Sequence, residues 1–520
     1  MDRKKTITLE LLLAGDGLSG RALDDGGASR EFSGRLGLMH TIDELLAAAG
    51  TNEEENRMNP MVDTLIEAAG IEALQQRIEG EVIAPGDAGW DAGRGAFNLN
   101  VDLRPALIAV PAGPEDVAEI VRFARDAGLR VAPQRTGHNA DPLGPLHRTI
   151  LLKTNRLDKV AIDAEARRAK VGAGARWEDV VPAASELGLA ALHGSTPDVS
   201  VAGYTLGGGM GWYARKHGLA ANSVTAIELV DAEGELRCVD AEHDPELFWA
   251  LRGGGGNFGV VTALEFELLP LAEVYAGTLF FPYERAEEVL KAWLAWTADA
   301  PDEVTSVGRL LQFPPFEEVP EPIRGKSFAV IEAVFLGGEA EGAELLAPLR
   351  ELGPVIDGFA MVPPAGIAEL HMDPREPMPY ASEHSLLGEL TATAIDDLVL
   401  AAGPGSGSTL ASVELRHTGG ALARAGEHHG ALATLPGSFA LFAVGLAADP
   451  ETTAKTAADL DRVVAATRAH EAGHYLNFVE RQGAAESFFP SAVGERLCAA
   501  KASYDPTRLF QANHEIGADR

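Results

Sequence analysis

The 520-residue chain has very little cysteine, with Cys238 and Cys498 as its only two. They form no disulfide framework and no CxxC or zinc spacing. Both are expected to be buried thiols of a protein in a reducing compartment. Long apolar runs are also missing: none approaches the roughly 18 residues of a membrane span. Lys4 and Lys5 precede ITLELLLAG, but Glu10 interrupts that run and no small-residue cleavage site follows. The segment reads as a strand rather than a signal peptide, and the expected location is cytoplasmic. Basic residues are scarce as well, 43 against 77 acidic, for a formal net charge of −34. Such a surface repels phosphate backbones and anionic lipid. Nucleic acid and membrane are therefore not expected as partners, and no obligate protein partner can be inferred.

What remains is ordinary globular composition. A hydrophobic share of 46% and a charged share of 23% exclude a disordered or collagen-like polymer. A chain this long buries a large core without disulfides, and its length suggests about three domains. Residues 1–50 read as a small ββα appendage. TITLELLL alternates at strand period, turns follow at Gly15–Gly17 and Asp25–Gly27, and MHTIDELLAAAG reads as a helix stopped by Gly50. Residues 51–78 read as a polar linker, TNEEENRMNP, and a short helix over about 61–78. From 79 to 270 short strands alternate with helices. GPEDVAEIVRFARDAGL has Pro114 in its first turn, Glu115 and Asp116 at the positive end of the dipole, and Val117, Ile120, Val121 and Ala124 on one face. Residues 271–470 change rhythm, with AWLAWT and ELLAPLRELG helical and SFAVIEAVFLG and GSFALFAVGL as near-continuous apolar strands. Residues 471–520 return to short motifs. The fold class is α+β.

Glycine, at 57 residues, is the most prominent signal. RGGGGNFG holds a formal GxGxxG at Gly254, Gly256 and Gly259, but a helical pattern precedes it and a strand pattern follows. That order is the reverse of a nicotinamide-type turn, so these glycines are expected to let the backbone approach a bulky ligand without help from a helix dipole. HGSTPDVSVAGYTLGGGMGW (193–212) and PQRTGHNADPLG (133–144) are two further loops of small residues and hydroxyls. Taken singly, each reads as tight turns between strands. Together they point to a large anionic cofactor held in backbone concavities. HEAGH (470–474) matches the zinc pattern HExxH literally. Ala-Gly inside it weakens a helix, and HYLNF reads as a strand, which takes His474 off any shared face; no metal is expected.

These motifs in this order resemble the vanillyl-alcohol oxidase, or PCMH-type, superfamily of flavin enzymes, in its berberine-bridge-enzyme-like branch. The resemblance covers about 80–270 and 470–515. It runs through APGDAGWDAGRGAFN, RPALIAVP, QRTGHN, VAGYTLGGGMGW, RGGGGNFGVVTALEFEL, YLNF and YDPTRLFQANHEI, with only ELRHTGGAL matching in the middle region. It implies a PCMH-type FAD-binding domain of two α+β subdomains over 79–270, to which 471–520 returns. It also implies a substrate domain over 271–470, an antiparallel sheet covered by helices. By the same resemblance, FAD lies against Gln134, Arg135, Thr136, Gly137, His138 and Asn139. The second loop adds Ser195, Thr196, Val199, Ala202, Gly203, Gly207 and Gly208. The third adds Gly256, Asn257, Gly259, Val260 and Val261, and the tail adds Asn513.

His138 stands where family members carry a histidine often bonded to the flavin 8α-methyl, although the loop is one glycine short of the usual Arg-x-Gly-Gly-His. Thr196 stands where some members carry a second, cysteinyl attachment, so that bond is not expected. Val199 stands at the position that governs the approach of O2, and its modest size favours an oxidase. Tyr475 matches a position facing the ring from the substrate side. It is the expected base, with Asn477 beside it on the same strand face. Arg416 and His417 are further candidates to face the pocket, His417 as a polar cap. The implied function is an FAD-dependent oxidoreductase, an oxidase in preference to a dehydrogenase: hydride leaves a hydroxyl- or amine-bearing carbon of a small molecule for flavin N5, and O2 reoxidises the flavin to give H2O2. The alternative is a flavin-binding dehydrogenase, or a non-catalytic sensor, that uses another acceptor.

Overall fold

The structure, a computed structural model, describes residues 7–14, 17–24 and 29–33 and the chain from 68 to 517 apart from 145, 316, 318, 320, 482 and 484. It divides into two units, Met1–Gly70 and Ile71–Arg520. In the first, Ile7–Ala14, Gly17–Asp24 and Ser29–Ser33 form an antiparallel sheet in sequence order. The sequence reading expected two strands there. The third, SREFS, has a single large apolar residue and so gives no alternation to read. The helix expected to end at Gly50 and the linker at 51–60 lie outside the described residues. Of the helix expected over 61–78, the described part is Ala68–Gln75.

Among its described residues the second unit holds three sheets. A four-stranded sheet runs in the order Glu81–Ile83, Leu107–Val110, Thr149–Lys153, Arg130–Gln134. Its last three strands are parallel, and the helix Pro114–Asp126 lies between two of them in sequence. Pro114 opens that helix and Gly128, at φ 65°, follows its end. Asp116 faces inward: its carboxylate accepts from the backbone N–H of Glu79, Gly80 and Ala112 at 3.0, 2.8 and 2.8 Å.

An antiparallel five-stranded sheet follows, in the order Leu236–Asp240, Val224–Val230, Val260–Glu267, Arg168–Gly172, Val160–Asp163. The tail closes back on the four-stranded sheet, where Val131 donates to Leu509 O at 2.8 Å and receives the N–H of Gln511 at 2.9 Å.

The third sheet is antiparallel and has nine strands. Its centre runs Val274–Pro282, Ser327–Phe335, Val304–Gln312, Ser412–His417, Phe439–Leu446, Tyr380–Leu387. One face packs on helices that include Ala286–Thr297, Ala392–Ala402 and Pro450–Thr467, around a core with Trp293, Leu398, Leu441 and Val463. Among the described residues no helix is long and apolar enough to cross a membrane.

Three local expectations are corrected. VAGYTL is helical, Val201–Leu206, with Ser200 capping it through Gly203 N–H; the hydroxyl cap ahead of small residues outweighed the glycine count. HYLNF is not a strand: Glu471–Gly473 pairs briefly at a sheet edge and Leu476–Phe478 is a 3-10 turn. Cys238 is exposed and Cys498 half-buried, against the expectation of two buried thiols. Cys238 sits on the edge strand Leu236–Asp240, where alternation turns it outward.

Candidate active site

A cavity of about 840 Å³ opens where the three glycine-bearing loops meet the nine-stranded sheet. That is within the range of roughly 300–1,000 Å³ for ligand sites. Gln134, Arg135, Thr136, Gly137, His138 and Asn139 line it from the loop after Arg130–Gln134. Ser195, Thr196, Val199, Ala202, Gly203 and Gly207 line it from the second loop and its helix. Gly256, Asn257, Gly259 and Val261 enter from the third, and Tyr475, Asn477 and Asn513 from the C-terminal segment.

Two expected residues do not line it. Val260 pairs with Val230 on a strand whose alternation turns it away from the face that Gly259 and Val261 present. Gly208 packs instead against Leu432 and Tyr475, in a backbone conformation (φ 110°) that only glycine adopts easily. His417 also misses the cavity: as the strand neighbour of Arg416, which lines it, His417 points the other way and stacks on Phe439.

Several expected contact residues are already tied into the scaffold. Asn257 donates to Gly254 O and His514 O at 2.8 and 2.9 Å and accepts from Ile516 N–H at 3.1 Å, stapling the glycine loop to the tail. Asn513 donates to Asn139 O, and Asn139 donates to Leu476 O at 3.1 Å. Lys153, not singled out in the sequence, is buried and donates to Gln134 Oε1 at 2.6 Å. Burial, with Arg135 nearby, pushes its ammonium down to about 8.

His138 stacks on Phe97 with ring centroids 3.9 Å apart. Its Nδ1 pairs with Thr136 Oγ1 at 2.9 Å, and its Nε2 lies 3.6 Å from Asp198 Oδ2. Burial pushes the imidazole down to about 4, so it is neutral at pH 7 and keeps a nucleophilic lone pair. Burial raises the Asp198 carboxyl to about 6.

Tyr475 and Asn477 meet through the 3-10 turn rather than through strand alternation. Tyr475 Oη accepts from Gly209 N–H at 2.8 Å, Met210 N–H at 3.2 Å and Asn477 Nδ2 at 2.8 Å. Asn477 also donates to Tyr204 O at 2.9 Å. Burial raises the phenol above the usual tyrosine value, and the three donors and Arg416 offset only part of that rise.

A charged network around Arg416 also reaches the cavity, and of it the sequence reading named only Arg416. His371, 1% exposed, has Nδ1 2.5 Å from Glu332 Oε2 and Nε2 2.7 Å from Glu414 Oε2. Arg309 reaches Glu332 at 2.9 Å, and Arg416 reaches Glu414 at 2.8 Å and Ser195 Oγ at 3.3 Å. Thr196 Oγ1 donates to Asp373 at 2.5 Å. Glu480 was missed too, although it directly follows YLNFV. It accepts from Tyr380 Oη at 3.0 Å, and burial pushes its carboxyl up to about 8.

The cavity suits a large polar ligand. Gln134 Nε2, His138 Nε2, Asn139 Oδ1 and Tyr204 Oη are buried, belong to lining residues and have no hydrogen-bond partner in the protein. Buried polar groups of native proteins are normally satisfied, so a bound group is expected to complete them. Glycine loops, unpartnered polar atoms and a neutral histidine meet in one cavity, the features of a site for a large polar cofactor.

Comparison with known proteins agrees. Residues 105–240 match a family model described as an FAD binding domain. The chain is 29% identical over 465 residues to (R)-6-hydroxynicotine oxidase of Paenarthrobacter nicotinovorans, covering 84% of this chain and 97% of that protein. It is 30% identical to the FAD-linked oxidoreductase YvdP of Bacillus subtilis (strain 168), over 60% of this chain and 68% of the relative. Among solved structures, 6-hydroxy-D-nicotine oxidase from Arthrobacter nicotinovorans superposes with a TM-score of 0.74 at 27% identity, over 85% of this chain and 98% of the other. Berberine bridge enzyme from Eschscholzia californica shares the fold, with a TM-score of 0.73 at 19% identity over 87% and 99%. The chain belongs to the FAD-linked oxidoreductases and shares the fold of berberine bridge enzyme.

Proposed function

We propose that this FAD-linked oxidoreductase is an oxidase acting on a hydroxyl- or amine-bearing carbon of a small molecule. The observation that carries the reading is the meeting of three glycine loops with the Tyr475–Asn477 pair in one cavity of about 840 Å³. FAD, when bound, supplies a two-electron acceptor and returns those electrons to O2 as H2O2. Residues 79–270 with 471–520 form its binding part and 271–470 the substrate part; the four- and five-stranded sheets fall in the first range and the centre of the nine-stranded sheet in the second.

Tyr475 is the base that takes the substrate proton at Oη. Burial raises the phenol above the usual tyrosine value; the three N–H donors that converge on its oxygen offset part of that rise and lower the cost of the phenolate that the base role requires. Asn477 holds the phenol in register. His138 is the attachment point for the flavin, supported by its neutral imidazole beside Asp198. With Thr196 bonded to Asp373, the second loop offers no thiol for another link. Val199 lines the cavity with a short side chain that leaves room for O2, which favours an oxidase over a dehydrogenase. The location we propose is the cytoplasm, supported by the sparse cysteine and the exposed Cys238.

The test is a visible spectrum of the purified protein, followed by anaerobic photoreduction and admission of air. The expected result is a flavin spectrum that bleaches and returns rapidly with formation of peroxide. A preparation that stays colourless after addition of FAD would sink the reading, and reduced flavin that persists in air would exclude an oxidase.

A further inference from the structure

Among the described residues two lysines are buried, Lys153 and Lys501, and they are partnered differently. Lys501 Nζ has an acid: it donates to Asp505 at 2.6 Å, and to Asn257 O and Phe510 O at 2.6 and 3.2 Å. Lys153 has no such partner among the described residues. It donates to the neutral Gln134 Oε1 at 2.6 Å, and the charged group that acts on it is Arg135, of like sign. A buried charge is normally paired, so an ammonium beside a second cation calls for an anion from outside the fold.

The four-stranded sheet sets the place. Gln134 and Lys153 are the last residues of the parallel strands Arg130–Gln134 and Thr149–Lys153, and they stand opposite one another in register. Ligands of open α/β sheets gather outside the carboxyl ends of such strands. The pairing also orients an amide. An ammonium only donates, so Gln134 turns its oxygen to Lys153 and leaves Nε2 on the other side. That nitrogen is buried, without a hydrogen-bond partner, on a residue that lines the cavity. Arg135 comes next, with Nε on Gly174 O at 2.6 Å; Arg176, Asp158, Glu178 and Asp179 also act on its charge. In a chain of net charge −34, Gln134 Nε2 and Arg135, with Lys153 behind them, thus present donors and positive charge to one part of the cavity.

We propose that Lys153 is a positioning residue for the cofactor: it aims the Gln134 amide N–H at the FAD diphosphate and supplies, with Arg135, the positive charge that the diphosphate balances. This rests on the flavin-oxidoreductase reading and adds to it a proton-linked control of cofactor binding. Burial and Arg135 hold the ammonium down at about 8. Above that pH the binding of FAD takes up a proton, so affinity falls as pH rises through it.

The experiment is a fluorescence titration of the full-length protein, produced under riboflavin limitation, with 8-demethyl-FAD, which lacks the methyl carbon through which a flavin could attach. Wild type, Lys153→Arg and Lys153→Met are compared at pH 7 and pH 9. Wild type is expected to bind about tenfold more weakly at pH 9, the ratio for a group that titrates near 8. Lys153→Arg keeps its charge, so that fall is expected to vanish. Lys153→Met is expected to bind about tenfold more weakly than wild type at pH 7 and to show no further fall at pH 9. A merely structural role would weaken binding without moving its pH dependence. Glu480, in the same cavity, is also raised to about 8; a tenfold fall that survives in Lys153→Arg would belong to it and overturn the proposal. Wild-type affinity unchanged between the two pH values overturns it as well. Wild type that binds at neither pH sinks the flavin reading itself, whereas binding indifferent to Lys153 sinks this inference alone.

Discussion

At the residue scale the site depends on which side chains are neutral and which lone pairs are free. The imidazole of His138 is unprotonated at pH 7 because it is buried and no carboxylate bonds it closely. If it carries the flavin, acid-precipitated protein keeps its yellow colour in the pellet, and His138→Ala releases the colour to the supernatant. Equal retention in both proteins would assign the link elsewhere. Tyr475→Phe removes the one oxygen on which Gly209, Met210 and Asn477 converge. A fall in kcat of about 10²–10⁴-fold is expected, the usual contribution of a general base, with the flavin spectrum retained. Stopped-flow reduction of the flavin measures it, and an unchanged reduction rate would remove Tyr475 from the chemistry.

At the scale of elements, the turn after Val201–Leu206 and the segment carrying Tyr475 are built for each other. A Cβ on Gly207 would lie 1.8 Å from Asn477 Oδ1. Gly207→Ala therefore has to push Asn477 away from Tyr475 and Tyr204. A loss of about 1–3 kcal/mol is expected, as for overpacking elsewhere, together with a lower kcat. Thermal melts and turnover check this, and a variant with wild-type values in both would mean the segment yields freely. The same contact explains why the glycine run was only half legible in the sequence. Its glycines signalled close approach correctly. One approaching body, however, is the chain's own C-terminal turn, more than 250 residues away in sequence by the Gly209–Tyr475 bond. HYLNF was misread for a related reason: its apolar and aromatic residues suit a strand locally, but docking on the glycine turn bends it into a 3-10 turn.

At the scale of the whole molecule, buried titratable groups set how stability varies with pH. His138 and His193 are both held down to about 4 by burial. Their folded values lie below the ordinary 6.5, so they stabilise above it and that stability is lost as pH falls toward 4. Two groups act in the opposite sense. Burial raises Glu480 to about 8. His371 is raised to about 9, because Glu332, Asp373 and Glu414 outweigh burial and Arg309. Their contribution is present at low pH and is lost as pH rises through those values. A melting temperature that peaks near pH 6.5 and declines toward pH 8 is the expected profile, with Glu480→Gln flattening the alkaline limb. Differential scanning across pH 4–8 reads it, and a melting temperature still rising from pH 6.5 to 8 would contradict these assignments.

The sequence by itself determined the cofactor class and most of the loops that line the cavity. Those signals are local: a proline at a helix start, glycines where backbone must approach closely, and loops in a fixed order. The helix Pro114–Asp126 and the inverted helix–glycine–strand order around Gly254–Gly259 were legible for that reason. Only the tertiary structure decided how the polar atoms are used. Arg309, Glu332, His371 and Glu414 come from separate strands and a loop, and no spacing in the sequence foretells that their charges cancel one another. Nor does it say that Asn257 is consumed by the tail, or that the outer face of Phe439–Leu446 meets a cavity rather than a second layer. Period-two alternation specifies that a side chain faces one side of a sheet; what lies on that side is fixed only when the sheet packs.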